Sequence, residues 1–352
     1  MVLFKKSPGR YLDAGNEYLL QRQFALALES FSMAIQLNPN SADAYYGRGL
    51  SYFSLGKFAE ALPDLDKALE LNPSLPDAYL YRGISLTSLS RFEDALKDFN
   101  KTIEFKPDLA EAYFYRGLAF RNLDPGKAQA DFLKTLELKP QFPDALLNLA
   151  LLAADRQEWD QAIDHFTKAL EANSGLFEAY CYRGLAYTKK NMLDEAIRDM
   201  DKAVELQPEN FETYFYRAIT RENRKEPEAA FADYNKALEL NPSLDVAYFG
   251  RGVLRNKRGE LDSAIADFSR AIELFPGFID AYFFRAIARG KKGDYDSALN
   301  DFSKVIDLNP LFAEAYFERA ALYKLKGDAA KAEADLQKAL ELNPGLAQRN
   351  LH

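Results

Sequence analysis

The sequence predicts an all-α fold, an α-solenoid of ten helix–turn–helix hairpins. Three observations predict it. A proline recurs at a near-constant interval, two helix-periodic apolar patterns fill each interval, and small residues fall at fixed places within those patterns.

The prolines are Pro39, Pro73, Pro107, Pro140, Pro208, Pro242, Pro276, Pro310 and Pro344, with steps of 34, 34, 33 and 68, then 34 throughout. Ser174, in Asn173-Ser174-Gly175, fills the long gap. A proline at that place stops one helix and sets the turn into the next. In the second interval Ala44, Tyr45, Arg48, Gly49 and Tyr52 lie near one face of a first helix, and Ala61, Leu65, Ala68 and Leu69 line a second. Gly56 stands between them, where a left-handed residue ends a helix. Two short helices cannot bury a core alone, so the hairpins must stack on their neighbours.

Composition bounds the rest. The chain has 352 residues, 26 Phe and 20 Tyr, too much aromatic surface for a disordered polymer. A formal net charge of −8 favours solubility and disfavours nucleic acid as the main partner. Cys181 is the single cysteine, which excludes an internal disulfide framework and suits a reducing compartment. No apolar run approaches the length of a membrane span, and MVLFKKSPGR lacks the apolar core of a secretory signal. The expected location is cytoplasmic. Without a signal peptide, the sequon Asn100-Lys101-Thr102 reads as chance.

Setting each proline at position 32 starts the hairpins at residues 8, 42, 76, 110, 143, 177, 211, 245, 279 and 313. Position 4 is then Tyr in nine of ten, from Tyr11 to Tyr316, with Leu146 the exception. Position 8 is Gly or Ala throughout, position 20 is Ala throughout (Ala27 to Ala332), and position 24 is bulky, as in Phe99, Phe166, Met200 and Phe302. This pattern resembles the tetratricopeptide repeat family over residues 8–346, leaving a lead segment 1–7 and a tail 347–352. The resemblance implies a right-handed superhelix that binds other macromolecules along an inner surface lined by the first helix of each hairpin.

The chain departs from the family at position 7, where Arg replaces the usual Leu in eight hairpins: Arg48, Arg82, Arg116, Arg183, Arg217, Arg251, Arg285 and Arg319. The same eight carry Asp at position 23: Asp64, Asp98, Asp131, Asp199, Asp233, Asp267, Asp301 and Asp335. The two hairpins without the Arg, with Ala14 and Leu149, also lack the Asp, having Ser30 and His165. Columns that change together point to contact. Pairing between neighbouring hairpins would leave mismatches, so a bridge within each hairpin is expected, as in Arg48–Asp64 and Arg251–Asp267. These arginines are read as structural.

No catalytic or metal constellation is present in the sequence. The two histidines, His165 and His352, belong to no zinc-ligand spacing. Cys181, at position 5, reads as a packed or groove-lining thiol. Gly126-Lys127 lacks the upstream glycine of a phosphate loop, because Arg121 stands there. The chain is expected to be no enzyme and to use no cofactor.

The resemblance puts positions 2, 5, 6, 9, 12 and 13 on the inner groove. The family's carboxylate clamp for acidic chaperone tails needs Lys and Asn at several of these, but position 5 is apolar or aromatic and position 2 mostly acidic, from Asp43 to Glu314. That clamp is absent. An apolar-aromatic strip remains, with Tyr46, Phe114, Phe215, Phe249, Phe283 and Phe317 as candidates for binding a peptide or partner helix.

The end of each first helix supplies a second candidate. Positions 11 to 14 carry only Arg121 and Arg156 in the first five hairpins, but twelve cations in the last five, among them Lys189, Lys190, Arg221, Arg255, Lys257, Arg289, Lys291 and Lys292. The helix dipole acts on all ten alike and does not explain the difference. Arg221, Arg255 and Arg289 each lie four residues after a bridge Arg and need anions nearby; Asp233, Asp267 and Asp301 are placed to serve both. A scaffold or adaptor using the groove is the leading expectation. Its alternatives are a self-assembling rod joined through its ends, where Leu340 and Leu342 are expected to stay partly exposed, and an anion- or RNA-binding platform using the basic edge.

Overall fold

The computed structural model describes residues 7–348, and its elements follow the proline register. The chain divides into two compact units, residues 1–174 and 175–352. The first holds five hairpins: α1 (Pro8–Leu20) with α2 (Phe24–Leu37), α3 (Ala42–Ser54) with α4 (Phe58–Leu71), α5 (Pro76–Ser88) with α6 (Phe92–Phe105), α7 (Ala110–Phe120) with α8 (Pro125–Leu138), and α9 (Pro143–Asp155) with α10 (Trp159–Ala172). The second holds α11 (Phe177–Lys189) with α12 (Leu193–Leu206), α13 (Phe211–Asn223) with α14 (Pro227–Leu240), α15 (Asp245–Lys257) with α16 (Leu261–Leu274), α17 (Ile279–Lys292) with α18 (Tyr295–Leu308), and α19 (Ala313–Leu325) with α20 (Ala329–Leu342). Among the described residues there is no strand. No described helix is long and apolar enough to cross a membrane. The lead residues 1–6, and tail residues 349–352 with His352, lie outside the described residues.

Each hairpin is punctuated by backbone chemistry that the sequence carries. The residue before each stop proline is held extended by the ring that follows it, as Asn38 (φ −142, ψ 90) and Asn72 (φ −140, ψ 94) show. The Asn side chain then accepts from the amide two residues on, Asn40 N at 3.2 Å and Ser74 N at 3.0 Å, an Asx turn that fixes the entry to the next helix. Inside the hairpin the turn needs one left-handed residue. Gly56 (φ 72), Gly259, Gly293 and Gly327 supply it where the sequence has glycine.

Five other hairpins force a side chain into the same conformation: Arg22, Ser90, Gln157, Asn191 and Lys225, all with φ near 60. Lys225 is exposed, so its strain has no compensating packing. Lys225→Gly is expected to stabilise the second unit by about 0.5–1 kcal/mol, the left-handed penalty less the added chain entropy, measured by urea unfolding. The hairpin one residue short avoids the left-handed residue altogether. There α7 ends at Phe120, Pro125 starts α8, and the Asp124 carboxylate caps it, accepting from Lys127 N at 3.1 Å.

The core repeats with the hairpin. Ala27, Ala61, Ala95 and Ala128 at position 20 are wholly buried, and the position-24 side chains Phe31, Leu65, Phe99, Phe132, Phe166, Met200 and Phe268 are too. These side chains press on the first helices. A Cβ built on Gly252, in the same hairpin as Phe268, would lie 2.7 Å from its Cε1, and one on Gly250 would lie 2.5 Å from Cζ of Tyr234 in the hairpin before. Helix backbones therefore approach closely both within and between hairpins. The last hairpin is closed by a 3₁₀ turn, Pro344–Gln348, which buries Leu346 against Ala313, Phe317 and Ala339, with Leu340 and Leu342 half-buried in the same cluster.

Candidate functional site

Each position-7 guanidinium forms a two-pronged bridge with the position-23 carboxylate of its own hairpin. Arg48 donates Nε and Nη2 to Asp64 Oδ2 and Oδ1, both at 2.7 Å. Arg251 donates likewise to Asp267 at 3.0 and 2.7 Å. The carboxylates are nearly inaccessible, at 7% for Asp64 and 4% for Asp267. The guanidinium also lies over the ring three residues earlier, 5.4 Å from the Tyr248 centroid for Arg251, a geometry in which cation and ring face attract.

A third donor reaches the preceding hairpin, which sequence reasoning missed. Arg82 Nη1 donates to Asp66 at 2.6 Å, Arg116 to Asn100 at 2.7 Å, Arg217 to Asp201 at 2.7 Å and Arg251 to Asn235 at 2.8 Å. All four acceptors occupy position 25. The fourth hairpin has Leu133 there, half exposed, directly before the hairpin whose Arg is replaced by Leu149. Three columns change together, and the third was legible in the sequence.

His165 takes the Asp place opposite Leu149. Its Nδ1 is buried without a hydrogen-bond partner, and burial lowers the imidazole pKa below its ordinary value; Asp164 opposes the shift and Lys168 adds to it. A depressed histidine stabilises the folded state above its unfolded pKa, and that stability is lost as pH falls through the folded pKa. The thermal midpoint of the first unit is therefore expected to fall on acidification below about pH 6.5, and to fall less in His165→Leu. Equal slopes in the two proteins would contradict this role.

The basic edge is largely neutralised from within. Asp233, Asp267 and Asp301 each take a second arginine, with Arg221, Arg255 and Arg289 donating Nη1 to them at 2.7 Å. Position 14 pairs with an acid of the preceding hairpin: Arg224 with Asp194 at 3.0 Å, Arg258 with Glu228 at 3.5 Å, Lys292 with Asp262, and Lys326 with Asp296. Arg221, Arg255 and Arg289 are thus corrected from edge cations to internal ion pairs, whereas Lys292 stays exposed in a surface pair with Asp262. The partners stand twelve or thirty residues away along the chain. Lys189, Lys257 and Lys291, all at position 13, are exposed, as is Lys190. Lys291 Nζ reaches only the amide oxygen Oδ1 of Asn256, at 3.5 Å.

Two of the groove candidates are also corrected. Phe114 and Phe317 are buried, at 7% and 4% exposure. The Phe249 ring lies 5.9 Å from Phe268 and 5.0 Å from Phe278, and Phe283 lies 5.7 Å from Phe302 and 5.1 Å from Phe312. Phe249 and Phe283 thus pack between hairpins and, like Phe215 and Tyr46, stay half-buried. Further half-buried apolar surface on the first helices comes from positions 6 and 9: Tyr81, Tyr115 and Ile84 in the first unit, and Tyr216, Phe284, Ile219, Val253 and Ile287 in the second.

In the second unit that surface opens into a cavity of ≈ 250 Å³ between α17 and α19. Its floor is Ala286, Phe302, Ala321 and Leu322, with Ile287, Gly290 and Leu325 at its sides and Lys291 and Glu318 as its charged groups. Sequence reasoning missed it, although a signal was present. Ala321 stands where the eight preceding hairpins carry Leu, Ile or Val at position 9, next to the only glycine at position 12, Gly290.

Neither remaining candidate supports chemistry. Burial pushes the Cys181 thiol up to about 11, leaving no nucleophile near neutrality. Among the described residues no three His, Cys, Asp or Glu side chains converge as a metal site requires.

Models of the tetratricopeptide repeat match residues 42–75 and 177–210, and 118–176 and 285–347, and a TPR repeat model matches 15–56. The chain belongs to the tetratricopeptide repeat family. Solved structures agree on the fold. A tetratricopeptide repeat protein from Parabacteroides merdae is 23% identical, covering 71% of this chain and 99% of that one, with a TM-score of 0.54. PilF of Pseudomonas aeruginosa is 19% identical over 60% of this chain and 97% of its own, at 0.54. The Cut9–Hcn1 hetero-tetramer of APC/C is 14% identical over 96% of each chain, at 0.51. No curated protein sequence matches the chain. Tetratricopeptide repeats mediate protein–protein interactions, and proteins built from them are generally scaffolds without catalytic activity.

Proposed function

We propose that this tetratricopeptide repeat protein is an interaction scaffold that binds a peptide or partner helix across the surface of its first helices. The observation that carries this reading is the apolar surface left on the first helices of the second unit. On the second helices the outward charges pair with one another, as in Lys236–Glu239 at 2.8 Å and Arg270–Glu273 at 2.9 Å, a solvated face. On the first helices, Tyr216, Ile219, Val253, Phe284 and Ile287 keep apolar surface accessible, which is the expected signature of an interaction site. The acids at position 2 argue against a carboxylate-clamp cochaperone, since Glu212, Asp280 and Glu314 would repel an acidic tail at that end of the helices.

A photo-crosslinking amino acid placed at Tyr216 or Ile287, and separately at Lys236 or Arg270, tests the reading. Protein adducts that form from the first pair of sites at moderate salt, and not from the second, are the expected result. Adducts only from the second pair, or nucleic acid released steeply by salt, would overturn it.

A further inference from the structure

Of the cations at the ends of the first helices in the second unit, Lys257 and Lys291 stand out. Arg221, Arg255 and Arg289 are held by buried carboxylates, and Arg224, Arg258, Lys292 and Lys326 by acids of the preceding hairpin. Lys257 and Lys291 are exposed on adjacent first helices and share one register, with Lys291 reaching the Asn256 side chain beside Lys257. The cavity between α17 and α19 begins at this same Lys291. Lys291 therefore lines an apolar recess, with Lys257 on the next first helix beyond it.

Helix polarity does not account for them. The dipole favours cations at every helix C-terminus, yet position 13 in the first unit is Leu20, Ser54, Ser88, Asn122 and Asp155. The acids at position 2 do not neutralise them either. Eleven residues of helix separate the two rims, roughly 16 Å at the α-helical rise, which exceeds the screening length of about 8 Å at physiological salt.

The recess has the size and lining for one anchor. At ≈ 250 Å³ it falls below the range of about 300–1,000 Å³ typical of small-molecule sites, and suits one large apolar side chain.

We infer that the cavity between α17 and α19 is an anchor pocket for an acidic peptide segment, taking one Leu or Phe side chain while adjacent carboxylates pair with Lys291 and Lys257. This rests on the first-helix surface being the binding face and adds the partner's chemistry. The occupant is a peptide carrying an apolar anchor flanked by Asp or Glu, and recognition spans the eighth to tenth hairpins.

The probes are fluorescein-labelled twelve-residue peptides with a Leu-Phe core flanked by Glu, the same core flanked by Lys, and a Ser-Ser core flanked by Glu. Fluorescence anisotropy with the full chain should show saturable binding of the first only. Two variants target the pocket without disturbing the stack. Ala321→Leu restores the residue type that other hairpins carry, and Gly290→Ala adds a Cβ at 3.5 Å from Leu322 Cδ2, ordinary contact distance. Ala321→Leu should weaken binding about tenfold or more, as expected for blocking a central anchor, with unchanged circular dichroism. Lys257→Glu with Lys291→Glu should weaken it by a similar factor and invert the preference toward the Lys-flanked probe.

Equal affinity for Glu- and Lys-flanked probes, binding unaffected by Ala321→Leu, or no binding of any probe overturns the inference. So does a doubled mass in light scattering that Ala321→Leu returns to monomer, which would assign the pocket to a second copy of the chain. The crosslinking from Tyr216, which lies outside the pocket, is read independently, so the broader reading can stand or fall apart from the pocket.

Discussion

Asp267→Ala is expected to destabilise the second unit by about 3–5 kcal/mol, the cost of removing one partner from a buried charge cluster. Asp267 is 4% exposed and answers two guanidinium groups, Arg251 at 16% and Arg255 at 22%. Its loss leaves both cations beside each other in a poorly solvated hairpin. Arg251 would keep its hydrogen bond to Asn235 Oδ1, which carries no countercharge. Asp64→Ala in the first unit is the milder counterpart, because Arg48 is alone there and 25% exposed. Urea unfolding of the two variants should rank Asp267→Ala above Asp64→Ala. Replacing Arg251, Arg255 and Asp267 together by apolar residues should recover much of the loss, since a buried ion cluster exchanged whole is often neutral. A loss below about 1 kcal/mol in Asp267→Ala would place the cluster among ordinary surface pairs.

Phe99→Ala is expected to cost the first unit about 3–5 kcal/mol. Phe99 is wholly buried and packs with Leu86, Ala95, Ala112 and Ala119 from three helices, so its removal opens a cavity shared by two hairpins. The backbone has little room to collapse into that space, because the ring is what separates α6 from the closely approaching Gly83. Thermal or urea unfolding followed by circular dichroism reads the loss directly. Phe105→Ala, at a side chain 44% exposed at the end of the same helix, should cost far less and serves as the control.

Much of the fold was legible because its signals are local. The Asn-Pro stops, the left-handed turn residue and the spacing of Ala and Phe act within a few residues of one another, so each hairpin announces itself. The Arg–Asp bridge was legible for a different reason. The fifth hairpin changes both columns at once, with Leu149 and His165, and so reports contact without any second sequence. What escaped depended on the packing of one hairpin on the next. The third donor of each arginine finds position 25 of the preceding hairpin, and Lys292 finds Asp262 thirty residues upstream. The same dependence misassigned Phe114 and Phe317. Whether position 5 faces a partner or a neighbouring hairpin is decided by residues such as Phe278 and Phe312 in the linking turns, which close over Phe249 and Phe283. The recess at Gly290 and Ala321 shows the reverse case. Two small residues on adjacent helices leave a space that neither helix pattern reveals alone.

The central claim is that partners engage the first helices. Hydrogen–deuterium exchange of the full chain with the Glu-flanked Leu-Phe peptide tests it most directly. Added protection in α15, α17 and α19, with α16 and α18 unchanged, is the predicted result. Protection confined to the second helices would contradict it.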